Sequence, residues 1–427
     1  MLAVTRETMN QFENKIDVPT RAETVIIGAG VIGSALAMAL AERGSESVVV
    51  IDPDLEGTLS SSELNAGGVR ATFHQELNIL ASKISIDYFR EHAEDVGFRE
   101  VGYLWIHKEQ GMQESLRSLP KWQAAGWPVE VWDAQRLREY APFIDRVENL
   151  AGALWSPRDG LLNPNLLKLH YRNRAKAKGV RFIDRLALSG SSADAEGLRL
   201  DFQRMPDSFS REDKEAFYKK ENEDESSAVS HSIRAEKVVN AAGPWAARVA
   251  KILGYESPSF NVRRQISLFD CREVDLSPYG MIIDPSGVYF HPEAGYILGG
   301  VAERDTPAGP NFHYDGEAYF QEKIWMPLSE TSSKFEALRH LSGWGGLYEV
   351  SPDESAIVGM AKTVQGFGKA RVFESHSYSG HGVMHSYACG VALAEQILEG
   401  KSSTLDLEPF SGDRFARGLR LEETAVI

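Results

Sequence analysis

The segment from Thr24 to Asp52 limits the possible fold more than any other part of the chain. It reads TVIIGAGVIGSALAMALAERGSESVVVID: an apolar run, a glycine turn, an alanine-rich stretch and a second apolar run that ends on an acid. This order predicts a β-strand, an α-helix and a second, parallel strand, the unit from which doubly wound sheets are built.

The glycine turn in this segment predicts a dinucleotide-binding site. Gly28 allows the tight turn, Gly30 lets the backbone approach a pyrophosphate, and Gly33 lets helix and strand pack closely. The N–H groups at the start of the helix then face the phosphates. Asp52 lies about 20 residues further on, where a carboxylate accepts hydrogen bonds from ribose hydroxyls. The predicted loop also contains Ala29, Val31 and Ile32. A purely structural turn is the alternative interpretation.

Composition excludes several classes of function. The chain has 427 residues, a formal net charge of −15 and two cysteines, Cys271 and Cys389. Nucleic acid and a bare anionic membrane surface would both repel such a charge, and two cysteines build no disulfide framework. No apolar run approaches the roughly 20 residues that span a bilayer, and the stretch before Arg21 does not resemble a signal peptide. We therefore expect a cytoplasmic protein without a transmembrane segment.

The order of the segments predicts two domains, one of them assembled from separate pieces. After an extension at 1–21, the nucleotide-binding domain is expected at 22–96, 165–255 and 341–427. Runs such as VRRQISLF, GVYFHP and YILGGV alternate apolar and polar residues, which is typical of antiparallel strands. They predict a mostly antiparallel sheet in a substrate domain at 97–164 and 256–340.

Residues 203–233 differ from the rest of the chain. They are dense in both charges and nearly free of aliphatic side chains. This composition predicts a solvated insertion between two strands. A surface that docks a protein partner is the alternative.

Six motifs together resemble a known family. GAGVIG, SSSELNAGGVR, VVNAAGPWA, GVYFHPE, PDESAIVG and SGHGVMHSYACG occur in the order found in the D-amino-acid-oxidase-like FAD oxidoreductases. Within that family, the chain resembles the sarcosine oxidase, dimethylglycine dehydrogenase and FAD-dependent oxidoreductase-domain branch. The resemblance implies a Rossmann-like FAD-binding domain of the GR2 type, α/β in character, with an inserted α+β substrate domain.

Two of these motifs are expected to lie against the FAD. In SSSELNAGGVR the donors Ser61, Ser62 and Asn65 precede residues without bulk, which are Ala66, Gly67 and Gly68. In VVNAAGPWA, a strand ends in small residues, which let a cofactor approach closely. The expected contacts are Ala241, Ala242, Gly243 and Trp245. An ordinary glycine turn and a plain strand end are the respective alternatives.

The SGHGVMH turn is expected to stabilise the reduced flavin. Gly380 and Gly382 precede a helix, so N–H groups from His381 through Val383 to Met384 should point out of its N-terminus toward the anionic side of the ring. The histidines His376, His381 and His385 also suggest a metal site. The motif contains no acidic or cysteine ligand beside them, and we predict no metal.

The substrate residues are predicted from strand alternation and from the resemblance. Tyr289 and His291 lie two residues apart on one strand and therefore share a face. In relatives this strand lines the substrate pocket. Tyr348 lies before Pro352, where sarcosine oxidases place an active-site tyrosine. Arg70 could bind a substrate carboxylate in bidentate fashion; Arg263 and Arg264 are alternatives.

The chain departs from its relatives at four positions. The residues that attach FAD covalently in sarcosine oxidases and dimethylglycine dehydrogenases correspond to Gly346 and Asn65, so non-covalent FAD is expected. The lysines that assist oxygen activation and bind carboxylate correspond to Ile297 and Met384. These changes leave open whether oxygen or another acceptor reoxidises the flavin.

The resemblance implies oxidation of the C–N bond of an amine or amino acid, an N-methyl or secondary amino acid above all. Hydride passes to flavin N5, and water hydrolyses the imine. One alternative is a dehydrogenase of a hydroxy acid or a glycerol-phosphate-like alcohol. The other is a non-enzymatic flavoprotein assembly factor that docks through 203–233.

Overall fold

A computed structural model of the protein describes residues 17–194, 196–220, 229–303, 305–361 and 371–425. The strands in these residues are β1 (Arg21–Ile27), β2 (Val48–Ile51), β3 (Gly68–Val69), β4 (Tyr103–His107), β5 (Glu130–Trp132), β6 (Gly152–Ser156), β7 (Gly160–Leu161), β8 (Arg181–Ile183), β9 (Leu186–Asp194), β10 (Gly197–Arg204), β11 (His231–Asn240), β12 (Phe260–Asp270), β13 (Met281–Ile283), β14 (Tyr289–Glu293), β15 (Tyr296–Gly300), β16 (Arg339–Val350), β17 (Ile357–Met360) and β18 (Arg371–His376).

The α-helices in the same residues are α1 (Val31–Glu42), α2 (Glu76–Glu91), α3 (Ala93–Val96), α4 (Glu109–Leu116), α5 (Leu119–Ala124), α6 (Ala134–Tyr140), α7 (Pro164–Ala177), α8 (Arg211–Lys219), α9 (Ala246–Ile252), α10 (Gly316–Tyr319), α11 (Met326–Thr331), α12 (Gly382–Glu399) and α13 (Asp413–Ala416). Four 3₁₀ or π segments lie between them, at Gly243–Trp245, Phe320–Trp325, Ser333–Ala337 and Glu408–Phe410.

The first sheet confirms the predicted doubly wound fold. Its strands lie in the order β17-β18-β11-β1-β2-β8, and β1 is paired in parallel with β2 on one side and β11 on the other. Strands β9 and β10 continue from β11 as an antiparallel pair. The central strands are parallel, so the loops after their carboxyl ends meet along one edge, where ligands bind in sheets of this kind.

Helix α1 forms the buried centre of this domain. Its sequence VIGSALAMALAE consists mostly of good helix formers with small or unbranched side chains, and nearly every residue is buried. It packs against α7 and α12, which shield it from solvent. Because the helix is apolar all round, it lies within the core and its start is fixed beside β1.

The second sheet is mostly antiparallel, as the alternating pattern predicts. Its order is β16-β12-β15-β14-β13-β4-β6-β5, and the pair β13 and β4 is parallel. A core of aromatic and aliphatic side chains, which includes Phe269, Phe290 and Phe320, packs against one face. Strand β16 pairs along its length with β12 and crosses the division proposed at 340/341. The chain therefore returns toward the first sheet on a strand of the second.

The charged segment 203–233 folds differently from a fully solvated insertion. Residues 221–228 lie outside the described part, but 211–219 form helix α8, which begins with a capping box between Ser210 and Asp213. The ion pairs that Glu215 forms within the helix lie on one face. Lys214 and Tyr218 are buried on another face. The i,i+4 spacing of these two buried residues gives the helix a packing face despite its charge.

The extension predicted at 1–21 falls largely outside the described residues, and β1 begins at Arg21. Among the described residues, no helix has both the length and the apolar character needed to cross a membrane.

The turn between β1 and α1 gives a direct test of the fold. Gly28 has φ +105°, and a Cβ there would lie 2.3 Å from the Ala241 carbonyl oxygen. Gly44 has φ +86° with nothing within 4 Å of such a Cβ. We expect Gly44→Ala to cost about 1 kcal/mol of backbone strain. Gly28→Ala adds a backbone clash and should cost at least about 3 kcal/mol. Urea denaturation measures both, and equal losses would contradict the fold.

Candidate active site

A large cavity opens where the central strands of the first sheet end. It holds about 1270 Å³, counting the space at its mouth. Most of the residues predicted to bind the cofactor line it, although they come from four separate parts of the sequence: Gly28, Ala29, Gly30, Val31, Ile32, Asp52, Ser61, Ser62, Asn65, Ala241, Ala242, Gly243, Trp245, Gly380, Gly382 and Val383. The fold thus brings these motifs together around one cavity.

The start of α1 forms the floor of this cavity. Gly30 is the N-cap residue and offers no side-chain cap. The Val31 N–H donates to Ser62 Oγ at 3.0 Å, which joins the SSSELNAGG segment to the helix start. The positive end of the helix dipole and unpaired N–H groups favour an anion here. Gly33 lies beneath the turn, where a Cβ would come within 2.0 Å of the Gly28 carbonyl oxygen.

Asp52 lies at one end of the cavity. Its carboxylate accepts hydrogen bonds from the Ala29 N–H at 2.7 Å and the Asp54 N–H at 2.8 Å. Burial raises the pKa of Asp52 to about 6, although these two hydrogen bonds act to lower it. The carboxylate is therefore ionised at neutral pH and keeps lone pairs for further donors.

Glu349 lines the cavity and was not predicted. Its Oε2 is buried and has no hydrogen-bond partner among the described residues. Burial raises the pKa of Glu349 to about 8, so the carboxyl is protonated at neutral pH and can donate. A buried polar atom without a partner is costly, and a bound molecule with polar groups would relieve that cost. The residue follows Tyr348 on β16 and belongs to no recognisable motif.

Two basic residues of α7 also line the cavity. Lys168 is buried, and burial lowers its pKa to about 8. Arg172 Nη1 donates to the Leu55 carbonyl at 2.7 Å, and its Nη2 donates to that of Ala29. Lys168 also pairs with Glu63, and the positive charges of Lys168 and Arg172 both act on Asp52. The helix was predicted, but nothing in its basic sequence indicated that these two side chains turn inward.

A second, smaller cavity adjoins the first and holds about 460 Å³ on the same measure. Asn65, Tyr348 and Gly380 line both cavities, so the two are neighbours across these residues. Its other lining residues are Ala66, Gly68, Arg70, Tyr103, Met281, Tyr289, Ser379, His381 and Met384. Tyr103 and Met281 lie on strands of the second sheet and were not predicted.

The SGHG turn lies between the two cavities. Gly380 has φ +91°, and a Cβ there would lie 2.4 Å from the ring of Tyr348, so the position needs glycine. His381 is the N-cap of α12, and the first residues of that helix contribute to both linings. A second helix N-terminus therefore lies in the region where the cavities meet.

Arg70 is the one charged side chain among the described residues that line the smaller cavity. It is 3% exposed, and the described carboxylates that act on its charge, Glu423 and Asp159, lie more than 4.0 Å away. Its Nη1 donates to the Thr72 carbonyl at 2.9 Å and its Nη2 to the Ala425 carbonyl. Its guanidinium carbon lies 4.0 Å from the ring centre of Phe73. These contacts hold the guanidinium in place and occupy two of its five N–H groups.

The other titratable groups of the smaller cavity are neutral at physiological pH. Burial raises the pKa of Tyr103, Tyr289 and Tyr348 above the usual phenol value. Burial and the neighbouring His385 hold the pKa of His381 well below its usual range. The cavity thus combines a fixed cation with neutral polar and aromatic walls.

Three predicted site residues line neither cavity. Gly33 and Gly67 lie beneath the turns that they support. His291 is buried, with Nδ1 3.0 Å from the Pro292 carbonyl oxygen. The alternatives to Arg70 also lie outside: Arg263 pairs with Asp315, and Arg264 lies 5.3 Å from the ring centre of Tyr348.

The histidines near the SGHG turn do not converge as metal ligands. His376 contacts Ser377 and Glu374, whereas the His381 and His385 rings meet edge to face, with their centres 4.8 Å apart. Among the described residues, a possible metal-binding group lies elsewhere, at His92, Asp95 and His170. The possible ligand atoms of these three residues all lie within 4.8 Å of one another.

Comparison with known proteins assigns the family. Residues 23–396 match the model of the family described as DAO, FAD dependent oxidoreductase. The chain belongs to this family. It is 30% identical to FAD-dependent oxidoreductase domain-containing protein 1 of Xenopus laevis, and the match covers 93% of this chain and 83% of that protein. Human mitochondrial dimethylglycine dehydrogenase is 25% identical over 91% of this chain and 44% of that protein.

A solved structure of the L-proline dehydrogenase of P. horikoshii has the same fold. The TM-score is 0.79 with 22% identity, and the match covers 94% of this chain and all of that chain. The protein is thus an FAD-dependent oxidoreductase, and the cavity residues fit the cofactor. The α1 N-terminus suits its pyrophosphate, Asp52 suits its ribose, and the unpartnered Glu349 carboxyl has a polar group to bind.

The raised pKa of Asp52 predicts pH-dependent FAD binding. Ribose hydroxyls donate to the ionised carboxylate, so FAD affinity should fall by up to about tenfold per pH unit below pH 6. Asp52→Asn should bind FAD more weakly and lose this dependence. The control is Asp207→Asn, because Asp207 belongs to an ion pair at the surface.

In the apoprotein, the raised pKa of Asp52 makes stability depend on pH in the opposite direction to FAD affinity. A raised carboxyl pKa means that the folded state binds the proton more tightly, so Asp52 reduces stability as the pH rises from 3.8 to about 6. Titration of FAD and thermal unfolding over this range measure both effects. An Asp52→Asn variant with the wild-type pH profile would contradict the assignment.

Proposed function

We propose that the protein oxidises the C–N bond of a small amino acid, with N-methyl and secondary amino acids as the favoured substrates. One observation carries the proposal. Arg70 is a buried cation in the smaller cavity, and the carboxylates that act on its charge, Glu423 and Asp159, lie more than 4.0 Å away. A buried charge without an ion-pair partner in contact is costly. A substrate carboxylate would complete the pair beside the cofactor cavity.

The names of two similar proteins support this substrate class. One is a dimethylglycine dehydrogenase and the other an L-proline dehydrogenase. Dimethylglycine and proline both combine a carboxylate with a substituted nitrogen. The smaller cavity offers matching surfaces, because a cation lies among aromatic and apolar walls that would contact the alkyl groups.

Bound FAD supplies the two-electron acceptor for the reaction. The chain itself orients the substrate. Arg70 holds the carboxylate, and Tyr289 and Tyr348 position the rest by contact and by hydrogen bonds. Both phenols stay neutral, because burial raises the pKa of each. They therefore do not take the proton of the amine.

The lining of the smaller cavity contains no acidic side chain among the described residues. We therefore propose that the substrate binds as the free amine. Transfer of hydride from the carbon beside this nitrogen to the cofactor leaves an iminium ion. Loss of a proton gives the imine, which water hydrolyses to an amine and a carbonyl compound. The value of kcat/KM should accordingly rise with pH as the substrate amine loses its proton in solution. A profile that follows an enzyme group and is the same for substrates of different amine pKa would contradict this assignment.

An anaerobic screen tests the proposal against the alternatives. The FAD-loaded protein is mixed with N-methyl amino acids, proline, primary amino acids, hydroxy acids or glycerol phosphate, and the absorbance of the oxidised flavin is followed. We expect N-methyl or secondary amino acids to bleach it. Bleaching by hydroxy acids or glycerol phosphate alone would favour a C–OH dehydrogenase. No bleaching by any compound would favour a non-enzymatic role.

Arg70→Met tests the carboxylate site. Loss of a charge-assisted pair worth about 3 kcal/mol should lower kcat/KM for the amino acid roughly 100-fold. The matched control is Arg264→Met, since Arg264 also lies near Tyr348 but outside the cavity. Flavin content and unfolding temperature should be measured for both variants. The proposal fails if Arg70→Met, fully loaded with FAD, retains wild-type kcat/KM.

A further inference from the structure

Helix α8 is fastened to the cofactor domain by a buried ion pair. Lys214 Nζ lies 2.9 Å from Asp54 Oδ2 and also donates to Thr58 Oγ1 at 2.9 Å. The two charged side chains are 5% and 1% exposed. A buried pair of this kind constrains both partners, because removing one leaves the other unpaired. Helix α8 is therefore anchored at a defined place.

A pair of aromatic contacts fastens the last turn of the same helix. The rings of Tyr218 and Trp245 have centres 4.0 Å apart, and Trp245 Nε1 donates to the Tyr218 carbonyl at 3.2 Å. The guanidinium of Arg248 lies 5.0 Å from the ring centre of Phe217. Trp245 and Arg248 follow the Ala241–Gly243 segment, so α8 packs directly on a cofactor-binding motif.

These contacts place α8 at one end of the large cavity. Phe217 and Tyr218 line the cavity together with Asp52. Asp54, the partner of Lys214, donates its N–H to Asp52 at 2.8 Å. Asp52 marks the ribose of the adenosine half in a site of this class. Tyr348 and Gly380 line both cavities, so the part of the large cavity that they line adjoins the smaller one.

We propose that helix α8 of the charged insertion forms the outer wall of the adenosine subsite of FAD. Phe217 and Tyr218 offer aromatic surface to the adenosine half, and the pair of Lys214 with Asp54 locks the helix over it. Stacking of a base on an aromatic side chain contributes about 1–3 kcal/mol. The insertion thereby retains a cofactor for which Asn65 and Gly346 offer no covalent attachment. This proposal rests on FAD binding and is independent of the substrate.

Two lysines of α8 provide matched variants. Lys214 is buried against Asp54, whereas Lys219 is exposed and pairs with Glu215 on its own helix. We expect Lys214→Met to weaken FAD and ADP binding to a similar extent, by about tenfold or more, the factor that 1.4 kcal/mol represents. Lys219→Met should bind both with wild-type affinity. ADP serves as the probe because it contains the adenosine half without the flavin.

FMN separates a local role from general damage, since it contains the flavin and lacks the adenosine half. Its affinity should be the same in wild type and Lys214→Met. An equal loss for FMN and ADP would mean that the substitution disturbs the fold, and it would overturn the proposal. The proposal would also be overturned if Lys214→Met bound FAD and ADP with the same affinities as Lys219→Met. The insertion would then be a solvated or partner-docking segment.

Hydrogen exchange and a second variant keep the test independent of Lys214. Backbone amides of 214–219 should exchange more slowly in wild type with ADP bound, and at the unliganded rate with FMN. Tyr218→Leu keeps an apolar side chain but removes the ring that contacts Trp245, and it should also weaken ADP binding. Unchanged exchange with ADP, or wild-type ADP affinity in Tyr218→Leu, would contradict the proposal.

Discussion

The close approach of Gly28 to the end of β11 is the constraint on which the rest of the structure depends. A side chain at this position would collide with the Ala241 carbonyl oxygen. Without one, β1 ends against β11, and α1 begins within the cavity instead of above it. The apolar surface of α1 then holds the helix in place between α7 and α12. The anion site is therefore made of backbone fixed by the core, which needs no rearrangement when a ligand binds.

Charge is distributed so that each cavity suits a different ligand. The larger cavity combines helix N–H groups and cations with the carboxylate of Asp52, and this mixture fits a molecule with both phosphates and hydroxyls. Among the described residues, the smaller cavity has one cation, Arg70, and neutral walls, which fit one carboxylate on a small apolar body. Gly380 and Tyr348 join the two regions, so a ligand in the smaller cavity lies beside the cofactor.

The sequence predicted the parts of the site that lie in continuous motifs. Strand β1, helix α1 and Asp52 could be placed because the glycine spacing and the apolar periods are local signals. Tyr103, Met281 and Glu349 could not, because each lies on a strand of the second sheet and reaches its cavity only through tertiary contacts. Helix α8 was missed because abundant charge obscured the i,i+4 pair Lys214 and Tyr218. Conversely, His291 has the predicted strand position but lines neither cavity, and its Nδ1 lies 3.0 Å from the Pro292 carbonyl oxygen.

The flavin content of the purified protein tests the central claim most directly. The protein is saturated with FAD, passed through a desalting column and precipitated with acid, and flavin is measured in the supernatant and the pellet. The account predicts one FAD per chain after desalting and all of it in the supernatant, since Asn65 and Gly346 provide no attachment. A colourless protein after desalting would contradict the proposed cofactor site. Flavin that stays with the pellet would contradict non-covalent binding.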